Sequence, residues 1–220
     1  MKPAGSDRRG EEGQVDRNEW NRRYDTPDLV WTGEANRFLV TEMSAMPAGT
    51  ALDLAAGEGR NAVWLARRGW TVTAVDFADV GLAKAARLAA SAGVEVDLVC
   101  ADVTEYEPAP ASFDLVVVLY LHLPTSSRRP LMAMAARSLA PGGTLLVVGH
   151  DATNLTAGYG GPQDPDVLFS PDDVVEDLTE SDLVVIKAAR VERPVDTADG
   201  PRVAIDALVR ARRPAGPGGP

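Results

Sequence analysis

The chain has 220 residues, of which 45% are hydrophobic, enough for one domain with a full core. Its net charge of −10 argues against nucleic-acid binding, since such proteins need a basic face to neutralise phosphates. It has one cysteine, no apolar run long enough to span a membrane and no signal-peptide pattern, so we expect a cytoplasmic protein without a membrane partner.

The composition changes at both ends of the chain. Residues 1–16 are rich in glycine and charge and lack apolar periodicity, which predicts a disordered leader. Residues 214–220 are mostly glycine and proline, which predicts a flexible tail. We expect the ordered domain to lie between them, over residues 17–213.

From residue 50 onwards, short runs of β type alternate with helical runs. The run Phe113–Tyr120 is almost fully apolar, which is typical of a central parallel strand covered on both faces. The predicted strands are 50–55, 70–75, 94–100, 113–120, 144–148, 183–191 and 203–210, and the predicted helices are 60–68, 79–91, 126–139 and one that begins after Ser170.

The last two predicted strands differ from the others because no helix separates them. Their connection, residues 194–201, is too short for a parallel crossover, so the pair should form an antiparallel hairpin. The sequence therefore predicts an α/β fold, with a doubly wound, seven-stranded, mostly parallel sheet that ends in this hairpin.

The first predicted strand ends in a glycine-rich turn. Gly57 and Gly59 lack a β-carbon, so their backbone N–H groups can approach a ligand closely, although a tight turn without a ligand explains them equally well. Asp53, Asp76 and Asp102 stand at the ends of the first three strands, where a doubly wound sheet binds its ligand. Carboxylates gathered at one edge repel one another, which favours a ligand rich in hydrogen-bond donors.

A nicotinamide dinucleotide is one such ligand. The run Gly57-Glu-Gly-Arg-Asn-Ala62 satisfies the pattern G-x-G-x-x-G/A, and Asp76 follows at the right distance to bind a ribose. An NAD(P)-dependent oxidoreductase is therefore an alternative. Against it stand the charge of Asp53, which would point into the space of a pyrophosphate, and the predicted terminal hairpin.

Over roughly residues 20–209 the sequence resembles the class I S-adenosylmethionine-dependent methyltransferases. Within them it looks most like the small-molecule branch that contains the tellurite-resistance and thiopurine methyltransferases. The run Gly57-Glu-Gly-Arg-Asn61 is fairly specific for that branch. The other matching stretches are Ala51–Ala66 around it, Val72–Phe77, Ala101-Asp102, Leu139–Leu145, Trp20–Tyr24 and Asn36–Leu39.

The resemblance implies S-adenosyl-L-methionine as the cofactor and gives roles to the matching positions. Asp53 would reach the methionine ammonium group, Asp76 would bind the ribose, and Asp102 would accept from the adenine amine. The other positions implied to border the cofactor are Ala55, Gly57, Gly59, Arg60, Asn61, Phe77, Ala101, Val103, Leu119 and Tyr120, with Trp20, Tyr24 and Trp31 in a lid formed by residues 17–48.

Ala55 departs from the family, which usually has a glycine at this position. A methyl group is a small change there if the backbone keeps a negative φ. It would crowd the cofactor slightly.

The implied activity is methyl transfer to a small-molecule nucleophile such as a thiol, a chalcogen oxyanion or a phenol. Because the donor is activated by its own positive charge, the protein mainly aligns the reactants and excludes water. A non-catalytic S-adenosylmethionine-binding protein is the remaining alternative. No His or Cys cluster indicates a metal, and nothing in the sequence indicates an oligomeric state.

The two histidines of the chain stand after the fourth and fifth predicted strands. His122 and His150 are therefore candidate general bases, although each is equally suited to bonding a loop backbone. Residues 151–166 are long, polar and rich in glycine, which predicts either a substrate lid or a passive surface loop.

Overall fold

The computed structural model of the protein describes residues 17–216, so the predicted leader and residues 217–220 of the predicted tail lie outside the described residues. The helices are α1 (Arg17–Tyr24), α2 (Arg37–Met43), α3 (Arg60–Arg67), α4 (Asp79–Ala92), α5 (Thr125–Ser138), α6 (Asn154–Ala157) and α7 (Pro171–Asp177), with a short 3-10 helix at Pro165–Val167. The strands are β1 (Thr50–Leu54), β2 (Thr71–Asp76), β3 (Asp97–Cys100), β4 (Phe113–Leu119), β5 (Leu139–His150), β6 (Val184–Thr197) and β7 (Gly200–Arg212).

The seven strands form one sheet in the order β3-β2-β1-β4-β5-β7-β6. Strands β1 to β5 run parallel, whereas β7 pairs antiparallel with both β5 and β6. The predicted α/β fold, with its mostly parallel sheet and antiparallel terminal hairpin, is confirmed. The strand order reverses between β1 and β4, so the crevice at their carboxyl ends is the topological switch point where such folds bind ligands.

The terminal hairpin is tighter than predicted. Its strands continue through residues 194–201 until Thr197 pairs with Gly200, so the prediction of a loop there was wrong. Pro194 is tolerated because β6 is the edge strand of the sheet, where a missing N–H group costs little. Gly200 has a φ of +105° and its carbonyl accepts from the Thr197 hydroxyl, which closes the turn.

Two apolar clusters cover the two faces of the sheet. Val116 and Val118 of β4 point to the face that carries α5 and α7, whereas Leu115 and Val117 point to the face that carries α2 and α3. This alternation explains why β4 is apolar throughout. Among residues 17–216, no helix is long and apolar enough to cross a membrane.

Candidate functional site

Three acidic residues meet at the carboxyl ends of neighbouring strands. Asp53 lies near the end of β1, Asp76 ends β2, and Asp102 follows β3, which is the next strand of the sheet. Parallel pairing aligns these ends, because Asp53 is opposite Ala74 and Asp76 is opposite Cys100. The predicted edge of carboxylates is therefore formed, beside the switch point of the sheet.

Asp53 is buried with only partial compensation, from the backbone N–H group of Ala62 and the charge of Arg60. Its side chain is 1% exposed, and its Oδ2 atom accepts no hydrogen bond from the described part of the chain. Burial, helped by the nearby charge of Asp76, raises the pKa of Asp53 to about 7. A buried carboxylate oxygen with no donor is costly, so this atom is suited to a cationic or N–H donor from a ligand.

Asp76 connects the end of β2 to the glycine turn. Its Oδ2 atom accepts from the N–H group of Gly57 and its Oδ1 atom from that of Ala78, both at 2.8 Å. Burial raises the pKa of Asp76, and these two N–H groups oppose the rise. The N–H group of Phe77 also contacts the carboxylate, so three backbone donors hold Asp76 in place and acceptor capacity is left for a ligand.

The glycine turn alternates between ordinary and left-handed backbone. Gly57 has a φ of +56°, and a β-carbon there would lie 2.7 Å from the Tyr24 hydroxyl. Gly59 has a φ of +78°, and a β-carbon there would lie 2.6 Å from the Ala85 β-carbon. Packing of the chain on itself therefore requires both glycines, in addition to any approach of a ligand.

Ala55 is the least typical residue of the turn. Its φ is +60°, so the condition under which its methyl group would be a small change, a negative φ, is not met. The turn requires left-handed backbone at this position, which costs an L-residue other than glycine roughly 1–2 kcal/mol.

The N-terminal segment covers the turn. Tyr24 of α1 is 4% exposed and lies against Gly57 and Gly81. The guanidinium group of Arg23 stacks between the rings of Trp20 and Trp31, at 4.9 and 4.8 Å from their centroids. Of the three predicted lid aromatics, only Tyr24 is packed into the core side of the turn, whereas Trp31 is 40% exposed.

Glu58 and Lys84 attach this segment to the turn, and the sequence reasoning missed both. The two oxygens of Glu58 accept from the N–H groups of Val30 and Trp31, each at 3.0 Å, and Glu58 pairs with the Lys84 ammonium group. Two features of the sequence could have indicated them: a glutamate between two glycines of the turn, and a single lysine in the alanine-rich α4.

Arg60 and Asn61 begin α3 but face different neighbours. Asn61 accepts from the N–H group of Asn36, whose side chain caps α2, so Asn61 positions the N-terminal segment. Arg60 is partly buried, and burial lowers its pKa while the charges of Tyr120 and Asp53 oppose the fall. Its Nη1 atom lies 3.5 Å from the hydroxyl oxygen of Thr32 in the N-terminal segment.

The predicted adenine side lies at the ends of β2 and β3. Phe77, Ala101 and Asp102 are half-buried and Val103 is buried. The Oδ1 atom of Asp102 accepts from both the N–H and the hydroxyl of Thr104, which leaves Oδ2 for a ligand.

A second polar cluster occupies the ends of β4, β5 and the hairpin. Leu119 is buried, and Tyr120 has a φ of +58°, a region that a bulky residue rarely enters. The Tyr120 hydroxyl donates to Asp206 at 2.7 Å, and the Arg193 Nε atom donates to Asp206 at 2.8 Å and to the Tyr120 oxygen at 2.9 Å. Asp206 and Arg193 come from the hairpin and were not predicted.

The two histidines lie in this cluster with stacked rings, 5.3 Å between centroids. His122 Nε2 accepts from the N–H group of His150 at 3.1 Å, and burial, together with the charge of His150, lowers the pKa of His122 to about 4. His150 Nδ1 lies 3.2 Å from Asp206 Oδ1, and neither atom has a hydrogen-bond partner among the described residues.

The predicted loop over residues 151–166 packs on His150. A β-carbon at Gly161 would lie 2.7 Å from the His150 ring, so the loop covers one face of that side chain. Asn154 of α6 holds the loop in place, because its amide donates to the Gly160 carbonyl and its oxygen accepts from the Ile205 N–H group.

Comparison with known proteins agrees with this geometry. Residues 51–143 match the family described as methyltransferase domain. A demethylmenaquinone methyltransferase of Renibacterium salmoninarum is 30% identical over 129 residues, which cover 57% of this chain and 53% of the relative. The chain thus spans about half the length of that curated relative.

Two solved structures share the fold. TehB from Haemophilus influenzae superposes with a TM-score of 0.68 at 16% identity, over 90% of this chain and 66% of that one. The 1,6-didemethyltoxoflavin N1-methyltransferase of Burkholderia thailandensis, solved with 1,6-didemethyltoxoflavin and S-adenosylhomocysteine, gives a TM-score of 0.65 at 22% identity, over 90% and 87%.

Proposed function

Because the chain carries a class I S-adenosylmethionine-dependent methyltransferase domain, we propose that it transfers a methyl group to a small-molecule nucleophile. The observation that supports this best is Asp53, a buried carboxylate whose Oδ2 atom has no donor among the described residues. It stands beside Asp76 and Asp102 on adjacent strand ends, so one extended ligand with several donors can satisfy all three.

The residues present fit S-adenosylmethionine. Asp53 would hold its ammonium group, Asp76 its ribose hydroxyls and Asp102 its adenine amine, in the order of the strands. Phe77 and Val103 would border the adenine. When bound, the cofactor supplies a methyl group on a positively charged sulfur, so the chain itself needs to bind, orient and dehydrate the reactants.

The acceptor would lie on the β4–β5 side of the crevice at the carboxyl ends of the strands. Leu119 and Tyr120 border it from β4, and His150 ends β5. Tyr24 and the N-terminal segment would exclude water from the glycine turn. The loop that carries Gly161 would exclude water from His150. A small molecule suits this crevice, and the solved relative that contains 1,6-didemethyltoxoflavin supports that class of acceptor.

The dinucleotide alternative is less well supported. A pyrophosphate over the turn would meet the buried carboxylate of Asp53, and bringing two negative groups together in a buried place is unfavourable. The ammonium group of the proposed cofactor has the charge that Asp53 needs.

Calorimetric titration with S-adenosylmethionine and with NAD tests the cofactor. We expect binding of the first only, and a loss of affinity of about 30-fold or more in Asp53→Asn, since a charge-assisted contact is removed. Asp114→Asn is the matched control. Asp114 is exposed near the start of β4, where it accepts from the N–H group of Thr50, at the sheet edge opposite to the one that carries Asp53. NAD binding without a response to S-adenosylmethionine would assign the oxidoreductase alternative instead.

A methyl-transfer screen over thiols, phenols, amines and oxyanions such as tellurite tests the reaction. Transfer to at least one class is expected. If the protein binds S-adenosylmethionine and methylates none of these classes, it is a non-catalytic binder and the proposal is wrong.

A further inference from the structure

The cluster around Asp206 contains a buried carboxylate that cofactor binding does not use. Asp206 is fully buried and accepts from the Tyr120 hydroxyl and from Arg193 through Oδ2. Its Oδ1 atom faces only the Nδ1 atom of His150, at 3.2 Å. Burial alone would raise the pKa of Asp206, but contacts from His150, Arg193 and Tyr120 lower it. The carboxylate is therefore ionised and faces an imidazole.

The hydrogen bonds distinguish the two histidines. The Nε2 lone pair of His122 already accepts from a backbone N–H group, and its other nitrogen contacts the Tyr120 backbone. His122 therefore has no nitrogen free to remove a proton. His150 Nδ1 and Asp206 Oδ1 lie 3.2 Å apart and are both buried without another hydrogen-bond partner among the described residues, so a proton on Nδ1 satisfies both atoms and leaves the lone pair on Nε2.

The position of His150 suits contact with the acceptor. It ends β5, next to β4 in the sheet, and its ring lies 5.2 Å from that of Tyr120 in an edge-to-face arrangement. The charged and titratable groups around it are Tyr120 and His122 after β4, Asp206 on β7 and Arg193 on β6. Gly161, the neighbour from the covering loop, carries no charge.

We propose that His150 is the general base of the reaction, that Asp206 positions it, and that the acceptor is consequently a neutral O–H or N–H acid such as a phenol, an enol or a heteroaromatic N–H compound. This inference rests on the proposed methyl transfer. The O–H or N–H bond of the acceptor breaks and its proton moves to His150 Nε2. The electron pair left on the acceptor atom forms the bond to the methyl carbon, and the pair of the broken carbon–sulfur bond stays on sulfur. Asp206 stabilises the imidazolium, which then releases its proton to water.

A base of this kind is selective for acceptor chemistry. Thiols and oxyanions ionise readily in water and gain little from an adjacent imidazole, whereas phenols and heteroaromatic N–H groups gain a factor of about 10² to 10⁴. We therefore expect neutral weak acids to be better acceptors than thiols of similar size.

The tautomer of His150 can be measured without any reaction. The chain has two histidines, so ¹⁵N-detected NMR spectra of the whole protein are assigned with His122→Gln and His150→Gln. We expect neutral His150 to carry its proton on Nδ1. In Asp206→Asn the amide would donate to Nδ1 and shift the proton to Nε2, while His122 keeps its tautomer as an internal control. A proton on Nε2 of His150 in the unaltered protein would overturn the proposal.

Kinetics test the same proposal through the reaction. His150→Gln should lower kcat for a phenol by about 100-fold or more, with a loss at least tenfold smaller for a thiol. Affinity for S-adenosylmethionine, measured separately, should stay within about twofold, since His150 contacts the acceptor side. Equal losses for phenol and thiol would overturn the assignment of the base. If the unaltered protein methylates nothing, the proposed function fails, and the tautomer of His150 still decides whether the Asp206 pair exists.

Discussion

The Nζ atom of Lys84 and the Oε1 atom of Glu58 lie 2.9 Å apart, and the two side chains are only 5% and 3% exposed. Lys84 also donates to the carbonyl of Asp28 at 2.6 Å and to the Thr26 hydroxyl at 3.1 Å. Glu58 holds the two N–H groups that follow, at residues 30 and 31. One buried ion pair thus connects the glycine turn, α4 and the N-terminal segment that covers the turn.

Breaking this pair should loosen the N-terminal segment. Glu58→Gln leaves the Lys84 charge buried without a counterion, and we expect a loss of about 3–5 kcal/mol in the free energy of unfolding. Protease cleavage between residues 17 and 36 should become faster. The double variant with Lys84→Met should cost less than the sum of the single variants, measured by chemical denaturation.

The exposed pair between Arg129 and Glu176 provides the control for that experiment. Glu176→Gln should change stability much less than Glu58→Gln, since Glu176 is 69% exposed, and should leave the cleavage rate of the N-terminal segment unchanged. Additive effects of the Glu58 and Lys84 variants would contradict the coupling described above.

Stability of the ligand-free protein should depend on the ionisation of Asp53. Its folded pKa of about 7 lies above its ordinary value of 3.8, so its contribution is full below pH 3.8 and is lost as pH rises through 7. The difference corresponds to about 4 kcal/mol. Asp53→Asn should therefore be more stable than the unaltered protein at pH 8, and this advantage should shrink as pH falls towards 3.8, measured by thermal unfolding.

The same property makes cofactor affinity depend on pH. An ammonium group binds ionised Asp53, so affinity for S-adenosylmethionine should rise as pH increases from 6 to 8, with a proton released on binding. Calorimetry in buffers of different ionisation enthalpy detects that proton. An unchanged affinity over this range would show that Asp53 does not contact the ammonium group.

Ala55→Gly should stabilise the protein. Glycine removes the cost of left-handed backbone at a φ of +60°, and loses part of the gain through greater freedom in the unfolded chain. We expect a net increase of up to about 1 kcal/mol in the free energy of unfolding by urea denaturation. Ala111→Gly is a matched control, because it makes the same substitution at a similar φ, +52°, in an exposed turn away from the site. A clear loss of stability in Ala55→Gly would mean that the methyl group is needed for packing.

Acid should destabilise the protein partly through His122. Its folded pKa of about 4 lies below its ordinary value of 6.5, so its contribution is full above pH 6.5 and is lost as pH falls towards 4. The total is about 3 kcal/mol. The loss of stability between pH 6.5 and 4.5 should be smaller in His122→Gln than in the unaltered protein, measured by thermal unfolding. An identical loss in both proteins would contradict the buried, neutral state of His122.

The sequence by itself determined the sheet and the row of carboxylates. Each β-α repeat carries its own local signal, with an apolar strand, a turn and an amphipathic helix, and parallel pairing then brings Asp53, Asp76 and Asp102 to one edge. The hairpin could be predicted for the same reason, since a short connection between two strands permits only antiparallel pairing. The exact turn of the hairpin could not be predicted, because the prolines at positions 194 and 201 are compatible with both a loop and an edge strand.

Only the tertiary structure decided which side chains form the polar cluster at the ends of β4 and β5. Tyr120 and Asp206 are separated by 86 residues, and their contact depends on the register between β5 and β7, which no local pattern encodes. The same register places Asp206 beside His150 and so distinguishes this histidine from His122, although both follow strands in the same way. The left-handed backbone of Ala55 also arises from the packed turn, since the sequence alone favours a negative φ for alanine. Local sequence thus determines the helices and strands and their order along the chain. Long-range packing determines which side chains contact one another and where the two histidines carry their protons.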